Sequence, residues 1–409
     1  MVRILSGLEK LGVAEAVARL SRREISAEEL VRECLLRIEA REPAVQAWES
    51  LDAERALQQA RRADPQSLLR GLPVGVKDLI DTADFPTAYG SPIYRGHRPV
   101  QDAACVQALR RAGAVILGKT VTTEFAVYAP GKTRNPRDPS RTPGGSSSGS
   151  AAALADLMVP AALGTQTAAS VIRPASFCGV IGWKPSFDTI AIEGTRPIAP
   201  SLDTLGLFVR SIEDVPLLMT ALGAPLQLRE LKPRLAFCRT AQWHLCQTPE
   251  LIERAAAALG AEESHLSFAG LAEAQIAIMG AEAAQSMRED RSRISPGLRE
   301  FLEAGARVTP DQLAAAHARA DMGRGEIAAL FTEFDAIVTP AAAGEAPGIE
   351  STGDPAFSRI WTLLGVPSVS LPLLEGPAGL PVGLQLIGPR GEDERLLAAA
   401  AWVMQEMRR

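Results

Sequence analysis

The sequence predicts an α/β architecture, with helices layered onto a sheet of buried strands. Three observations carry that expectation. Short apolar runs of strand length occur at 72–80, 114–117 and 159–164; stretches with apolar residues at helical spacing alternate with them; and two turns rich in glycine, serine and threonine break the alternation at 143–150 and 164–179.

Taken in order, Ser26 followed by Glu29 is a capping-box pattern, and Leu30, Val31, Cys34, Leu35 and Ile38 then recur at helical spacing. The first seventy residues are expected to be helical. From Gly71 the run Leu72 to Ile80, closed by Asp81, reads as a strand covered on both faces. A helix over Val106 to Ala112 leads into a strand over Ala114 to Leu117. Between Tyr128 and Gly149 the composition turns to Pro, Gly, Ser, Asn and Arg, which predicts a long loop. Ser150 to Met158 then reads as helix, Val159 to Gly164 as strand, and Thr165 to Ser170 as a second turn of small residues. The stretch from about Glu230 to Asp335 is expected to be mostly alanine-rich helix. A strand over Val382 to Ile387 and a helix over Asp393 to Met407 close the chain. Pro233, Pro249 and Pro310 mark no long linker, so residues 1–409 are expected to form one domain. Its parts are a helical segment (1–70), a core (71–225), a helical region (230–335) and a return to the core (336–409).

A net charge of −5 and a pI near 5.6 give no broad basic field, which argues against a nucleic-acid partner and favours a small or neutral substrate. The five cysteines, Cys34, Cys105, Cys178, Cys238 and Cys246, are scattered, without a C-x-x-C pair, and are expected to be reduced thiols. No metal or cofactor is indicated. Met1-Val-Arg3 runs into an amphipathic stretch, Leu8 to Leu20, without a secretory apolar segment, and no eighteen apolar residues occur together. A soluble, cytoplasmic protein free of the membrane is expected, and a homodimer is left open.

Lys77 interrupts a run that should be buried on both faces, where a charged amine loses much of its hydration. Desolvation favours the neutral amine, a competent general base near pH 7; the alternative is an ion pair with Asp78 or Asp81. Pro143 to Ser150 packs four serines among three glycines at the entrance to an apolar helix. It is either a site loop or a flexible linker. Gly145-Ser-Ser-Ser-Gly149 also satisfies G-x-S-x-G, but the preceding residues, Asn135 to Pro143, are unfit for the strand that a nucleophile elbow needs. Such an elbow would draw its histidine from His244, His265 or His317. In the second turn, consecutive backbone N–H groups can converge on one anion. Arg173 beside it either pairs with an acid or receives a substrate carboxylate.

In combination these residues resemble the amidase signature family. The resemblance rests on Gly75-Val-Lys-Asp78, Gly118-Lys-Thr120 with Thr123-Glu-Phe125, the serine loop Gly144 to Ser150, and the Gly164 to Gly179 turn, in that order, over about residues 25 to 220 and again near the C-terminus. Leu202 to Leu207, Ser351 to Pro355 and Arg173 look most like malonamidase-type small amidases.

The resemblance implies an α/β/α fold with a central twisted mixed sheet, Ser170 as acylated nucleophile, Ser146 as bridging serine with a cis peptide bond, and Lys77 as terminal base. It also implies an oxyanion hole of backbone N–H groups from Thr167, Ala168, Ala169 and Ser170, and substrate contacts at Arg173, Gly145 and Ser147. The family usually has glycine where this chain has Ala169, and commonly where it has Ala168. Were that backbone left-handed, each alanine would cost about 1 kcal/mol or more and displace the donors. The implied function is hydrolysis of a small amide. Aryl amides or carbamates, the glutaminase component of a tRNA-dependent amidotransferase, and a non-catalytic binding homologue are the alternatives.

Overall fold

Ser26 starts the first long helix through its side chain: Ser26 Oγ accepts from Glu29 N at 3.2 Å, and Glu29 Oε2 accepts from Ser26 N at 2.7 Å. The helix runs from Ala27 to Val45 and buries Leu30, Val31, Cys34 and Ile38. The computed structural model describes residues 6–127, 129–264, 266 and 268–408. Met1 to Arg3, Tyr128 and His265 lie outside the described residues.

Among the described residues the strands form one eleven-stranded mixed sheet. Its strands are β1 (Trp48–Leu51), β2 (Pro73–Lys77), β3 (Val115–Thr120), β4 (Ala161–Gln166), β5 (Ile181–Lys184), β6 (Thr204–Val209), β7 (Leu235–Cys238), β8 (Glu262–Ser264), β9 (Ala336–Pro340), β10 (Ser368–Glu375) and β11 (Pro381–Ile387). The spatial order is β1-β3-β2-β4-β6-β5-β10-β11-β9-β7-β8. β2 is parallel to both β3 and β4, as β7 is to β8 and β9, and the remaining neighbours are antiparallel.

Three sequence expectations change here. The helical N-terminal segment includes the edge strand β1, and the alanine-rich region contributes β7 and β8 to the far edge. β8 reads Glu-Glu-Ser and is largely exposed, so it has no apolar run to detect; charged residues suit an edge strand that pairs on one side. The Gly164 to Gly179 stretch holds a short helix, Ile172–Cys178, closed by Gly179 in the left-handed conformation.

Helices cover the sheet. One apolar cluster joins Leu30, Val31, Leu154, Leu207, Leu384 and Leu397. A second joins Ala236, Cys238, Ile337 and Ile387 to Leu271, Ile278, Leu302, Ile327 and Trp361 from four later helices. No described helix is long and apolar enough to cross a membrane.

The parallel trio fixes where chemistry can sit. Val76 is in register with Leu163, and Lys77 with Thr120, so the carboxyl ends of β2, β3 and β4 open at one edge. Ligand sites of α/β sheets form outside such ends.

Candidate active site

Lys77, at the carboxyl end of β2, is fully buried. Its Nζ lies 2.8 Å from Ser146 Oγ, 2.7 Å from Thr165 Oγ1 and 3.4 Å from Thr165 O. The alternative, an ion pair with Asp78 or Asp81, does not form: Asp78 faces Lys119 at 3.5 Å and Asp81 accepts from the Tyr89 hydroxyl at 2.8 Å. Burial pushes the Lys77 amine well below its ordinary range, opposed by the Asp203 charge. A neutral amine has two hydrogens and one lone pair. It can donate to the two Thr165 oxygens and still accept from Ser146 Oγ–H.

Residues 142–150 are buried, which overturns the flexible-linker alternative for the serine loop. Its glycines serve close packing: Gly144 has φ +81° and a Cβ there would lie 2.8 Å from Pro174 Cα, and a Cβ at Gly149 would lie 2.2 Å from Ala47 O. The Gly145–Ser146 peptide bond is cis, as the resemblance implied. The four serines divide by partner. Ser150 Oγ donates to Leu163 O at 2.8 Å and meets Thr120 Oγ1 at 2.7 Å, and Ser148 Oγ donates to Val121 O at 3.2 Å. Ser147, expected beside the substrate, is fully buried and its hydroxyl engages Thr165 O and N at 3.3 and 3.4 Å. Only Ser146 faces Lys77. No strand runs directly into the loop among the described residues, and His244 bonds Ala241 O while His317 is exposed, so the nucleophile elbow has neither of its parts there.

The second turn follows β4. Thr167, Ala168, Ala169 and Ser170 donate their amides to no acceptor among the described residues, whereas Val171 N and Ile172 N both reach Gln166 Oε1, at 2.9 and 3.1 Å. Four adjacent free N–H groups in a buried turn are suited to an oxyanion. Neither Ala168 nor Ala169 is left-handed, so the strain anticipated for alanine does not arise. Thr167 Oγ1 donates to Asp203 Oδ1 at 2.5 Å, and Asp203 Oδ2 accepts from Ile198 N and Ala199 N at 2.8 and 3.1 Å. Burial raises the Asp203 carboxyl to about 6. Ser170 is 8% exposed, and its hydroxyl makes no hydrogen bond among the described residues. Its carbonyl accepts from Ser147 N at 3.4 Å, which ties the two turns together.

Arg173 neither forms the anticipated pair with an acid nor presents a free fork. Its Nη1 donates to Gly353 O at 2.6 Å and its Nη2 to Gly145 O at 2.7 Å, bracing the serine loop against the Ser351 to Pro355 segment. Burial, then the Arg359 charge, pushes the guanidinium below the ordinary arginine range, against the pull of Asp354. Replacing Arg173 by methionine leaves both carbonyls unpaired, and denaturant unfolding is expected to show a loss of about 2–4 kcal/mol.

Sequence reasoning missed Thr165, Gln166, Asp203, Gln275 and Thr362. Thr165 and Gln166 lay in the recognised turn, and Asp203 in a recognised segment, without a role. Gln275 and Thr362 reach the turn from 108 and 194 residues away and carry no local signature. Among the described residues no group of three or more His, Cys, Asp or Glu is placed to hold a metal. A groove of about 880 Å³ between three later helices, lined by Ala274, Ile276, Ala277, Val308 and Ala315, includes none of the residues above.

A mixed sheet, a serine loop and an amide-rich turn around a buried lysine define the class as an amidase-type hydrolase. The chain belongs to the amidase signature family: the model of the family described as Amidase matches residues 29–233 and 243–397. It is 35% identical to the A subunit of glutamyl-tRNA(Gln) amidotransferase from Thermus thermophilus, over 94% of this chain and 95% of that one. Among solved structures it resembles a chain of a vestigial protein complex described as revealing the evolutionary origins of an s-triazine catabolic enzyme, with TM-score 0.89 and 27% identity over 97% of this chain and 98% of that one. It also resembles the peptide amidase of Stenotrophomonas maltophilia, with TM-score 0.81 and 27% identity over 98% and 97%.

Proposed function

We propose that this single-domain enzyme hydrolyses the C–N bond of a small amide in the cytoplasm, through a relay of Lys77, Ser146 and Ser170. The observation that carries the reading is the 2.8 Å approach of the buried Lys77 Nζ, which forms no ion pair among the described residues, to Ser146 Oγ. Neutral Lys77 takes the Ser146 proton as Ser146 takes the Ser170 proton, and Ser170 Oγ attacks the carbonyl carbon. The amides of Thr167 to Ser170 receive the oxyanion, each donor contributing about 3 kcal/mol by analogy with other hydrolases. Collapse breaks the C–N bond, the proton returns along the relay to the leaving amine, and an ester on Ser170 remains. Water, deprotonated by the same relay, releases the acid. Ser146 Oγ and Ser170 Oγ share no hydrogen bond among the described residues, so this is the link that substrate binding must form, as catalytic hydrogen bonds tighten on forming the Michaelis complex.

With both Nη groups on main-chain carbonyls, we read Arg173 as a brace for the site. With Nη2 also donating to Thr352 Oγ1, a substrate carboxylate would be left with its Nε–H and one Nη1–H. The test is labelling with an activated fluorophosphonate alongside a panel of acidic, aliphatic, aryl and carbamate substrates. Stoichiometric adduct at Ser170 with turnover of a simple amide is expected; an unlabelled Ser170 in folded protein rejects the relay. The likeness to the amidotransferase component of Thermus thermophilus supports a second reading, a glutaminase that works within a complex. Glutamine hydrolysis that appears only with partner proteins added would favour it over the stand-alone enzyme.

A further inference from the structure

The groups that hold the Thr167–Ser170 turn are distinct from those that react, and they arrive from two distant helices. We propose that Gln275 and Thr362 are positioning residues, which aim the oxyanion amides by fixing the carbonyl side of the same turn. The inference rests on the reading of Ser170 as the acylated serine.

A trans peptide unit is planar, so its C=O and N–H point in opposite directions. Holding Thr167 O therefore aims Ala168 N–H, and holding Ala168 O aims Ala169 N–H. Both carbonyls are held. Gln275 Nε2, from the helix Leu271–Ser286, donates to Thr167 O at 3.0 Å. Thr362 Oγ1, from the helix Ala356–Leu363, donates to Ala168 O at 2.8 Å, with Ser358 O the more distant acceptor at 3.1 Å.

Each holder is itself oriented by chemistry that admits one arrangement. Arg359 Nη1 reaches the Gln275 amide oxygen at 2.7 Å; a guanidinium only donates, so Oε1 must face it and Nε2 must face Thr167 O. Gln166 Nε2 donates to Thr362 Oγ1 at 3.0 Å, which directs the single Thr362 proton toward a carbonyl. Gln166 Oε1 meanwhile accepts from Val171 N and Ile172 N. The turn is thus closed into a ring, from Gln166 through Thr362 and Ala168 O and back along the backbone to Val171. Gln275 and Thr362 are buried at 0% and 2% exposure, so water offers no substitute partner.

The test compares Thr362→Val, Thr362→Ser and Gln275→Glu with the wild-type full chain. The readout is the second-order rate of Ser170 labelling by a fluorophosphonate, followed by intact mass. Thr362→Val removes the hydroxyl at similar volume, and Gln275→Glu keeps the Arg359 contact while setting an acceptor against Thr167 O. Each is expected to slow labelling at least about 10-fold, a smaller effect than the roughly 10²- to 10³-fold of losing an oxyanion donor outright, because the donor is misaimed and not removed. Thr362→Ser is expected to stay within about 3-fold of wild type, and both Thr362 variants to keep the wild-type pH midpoint, since they add no charge near Lys77. Labelling of Thr362→Val and Gln275→Glu at the wild-type rate overturns the proposal. If Thr362→Val fails to fold, Gln275→Glu decides alone by the same criterion. A wild-type chain that leaves Ser170 unlabelled is a separate outcome, which removes the reading beneath the proposal.

Discussion

Substituting Ser170 by alanine is expected to abolish both turnover and phosphonate labelling, lowering kcat on the order of 10⁴- to 10⁶-fold, the scale seen when a serine hydrolase loses its nucleophile. The loss should be confined to chemistry. Ser170 Oγ makes no hydrogen bond among the described residues, so its removal orphans no buried partner. The turn around it stays held through Gln166, Asp203, Gln275 and Thr362. The unfolding midpoint should therefore match wild type. Folded Ser170→Ala protein that retains wild-type kcat would show that acyl transfer does not pass through this serine, leaving Ser146 as the hydroxyl to examine.

Lys77→Met is expected to lower kcat on the order of 10³-fold or more, from loss of the general base, and at the same time to raise stability at neutral pH. The two effects share one cause. A buried amine whose folded-state value lies below 10.5 binds its proton less readily when folded than when unfolded. In the window between the two values the unfolded chain carries more protons, so the stability of the wild type rises with pH there. Below the depressed folded value the cost of burying the amine is present in full; above about 10.5 it vanishes. Methionine removes that cost while filling similar space, a trade between stability and activity common at functional sites. Chemical unfolding at several pH values measures it: the gap between Lys77→Met and wild type should shrink as pH rises through the window. For the wild type, kcat/KM should fall as pH drops through the depressed value, because protonated Lys77 cannot accept from Ser146. Asp203, raised to about 6, takes up a proton in the acid range and weakens the clamp on Thr167, steepening the same limb. A kcat/KM flat across that range would exclude Lys77 as the base.

Much of the site could be read residue by residue because its signals are local. The Ser26 capping box, the β2 run around Lys77 and the small-residue turns each lie within a few residues of sequence, where capping, burial pattern and turn chemistry act directly. The cis bond at Ser146 and the choice of Ser146 among four neighbouring serines came through family resemblance, since composition alone treats Ser146, Ser147, Ser148 and Ser150 alike. The structure separates them by partner, Leu163 O, Val121 O and Thr165 claiming three and Lys77 the fourth. Arg173 shows the limit of reasoning from residue type. A lone arginine near a nucleophile suggested an anion, but Gly145 O and Gly353 O, the latter 180 residues away, occupy both its Nη groups.

By itself the sequence determined the alternation of helix and buried strand, the placing of one lysine inside an apolar strand, and two turns too rich in small residues to pack as core. These follow from hydrophobicity, chain entropy and local hydrogen bonding, which act between near neighbours. Only the tertiary structure decided that Lys77 would meet Ser146 and Thr165 and not pair with Asp78 or Asp81. It also decided that β7 and β8 would extend the sheet, and that Gln275 and Thr362 would grip the carbonyl side of the Thr167–Ser170 turn. Those outcomes depend on strand register and on helix packing across more than a hundred residues, and the burial that results pushes the amine of an ordinary lysine well below its usual range beside a hydroxyl.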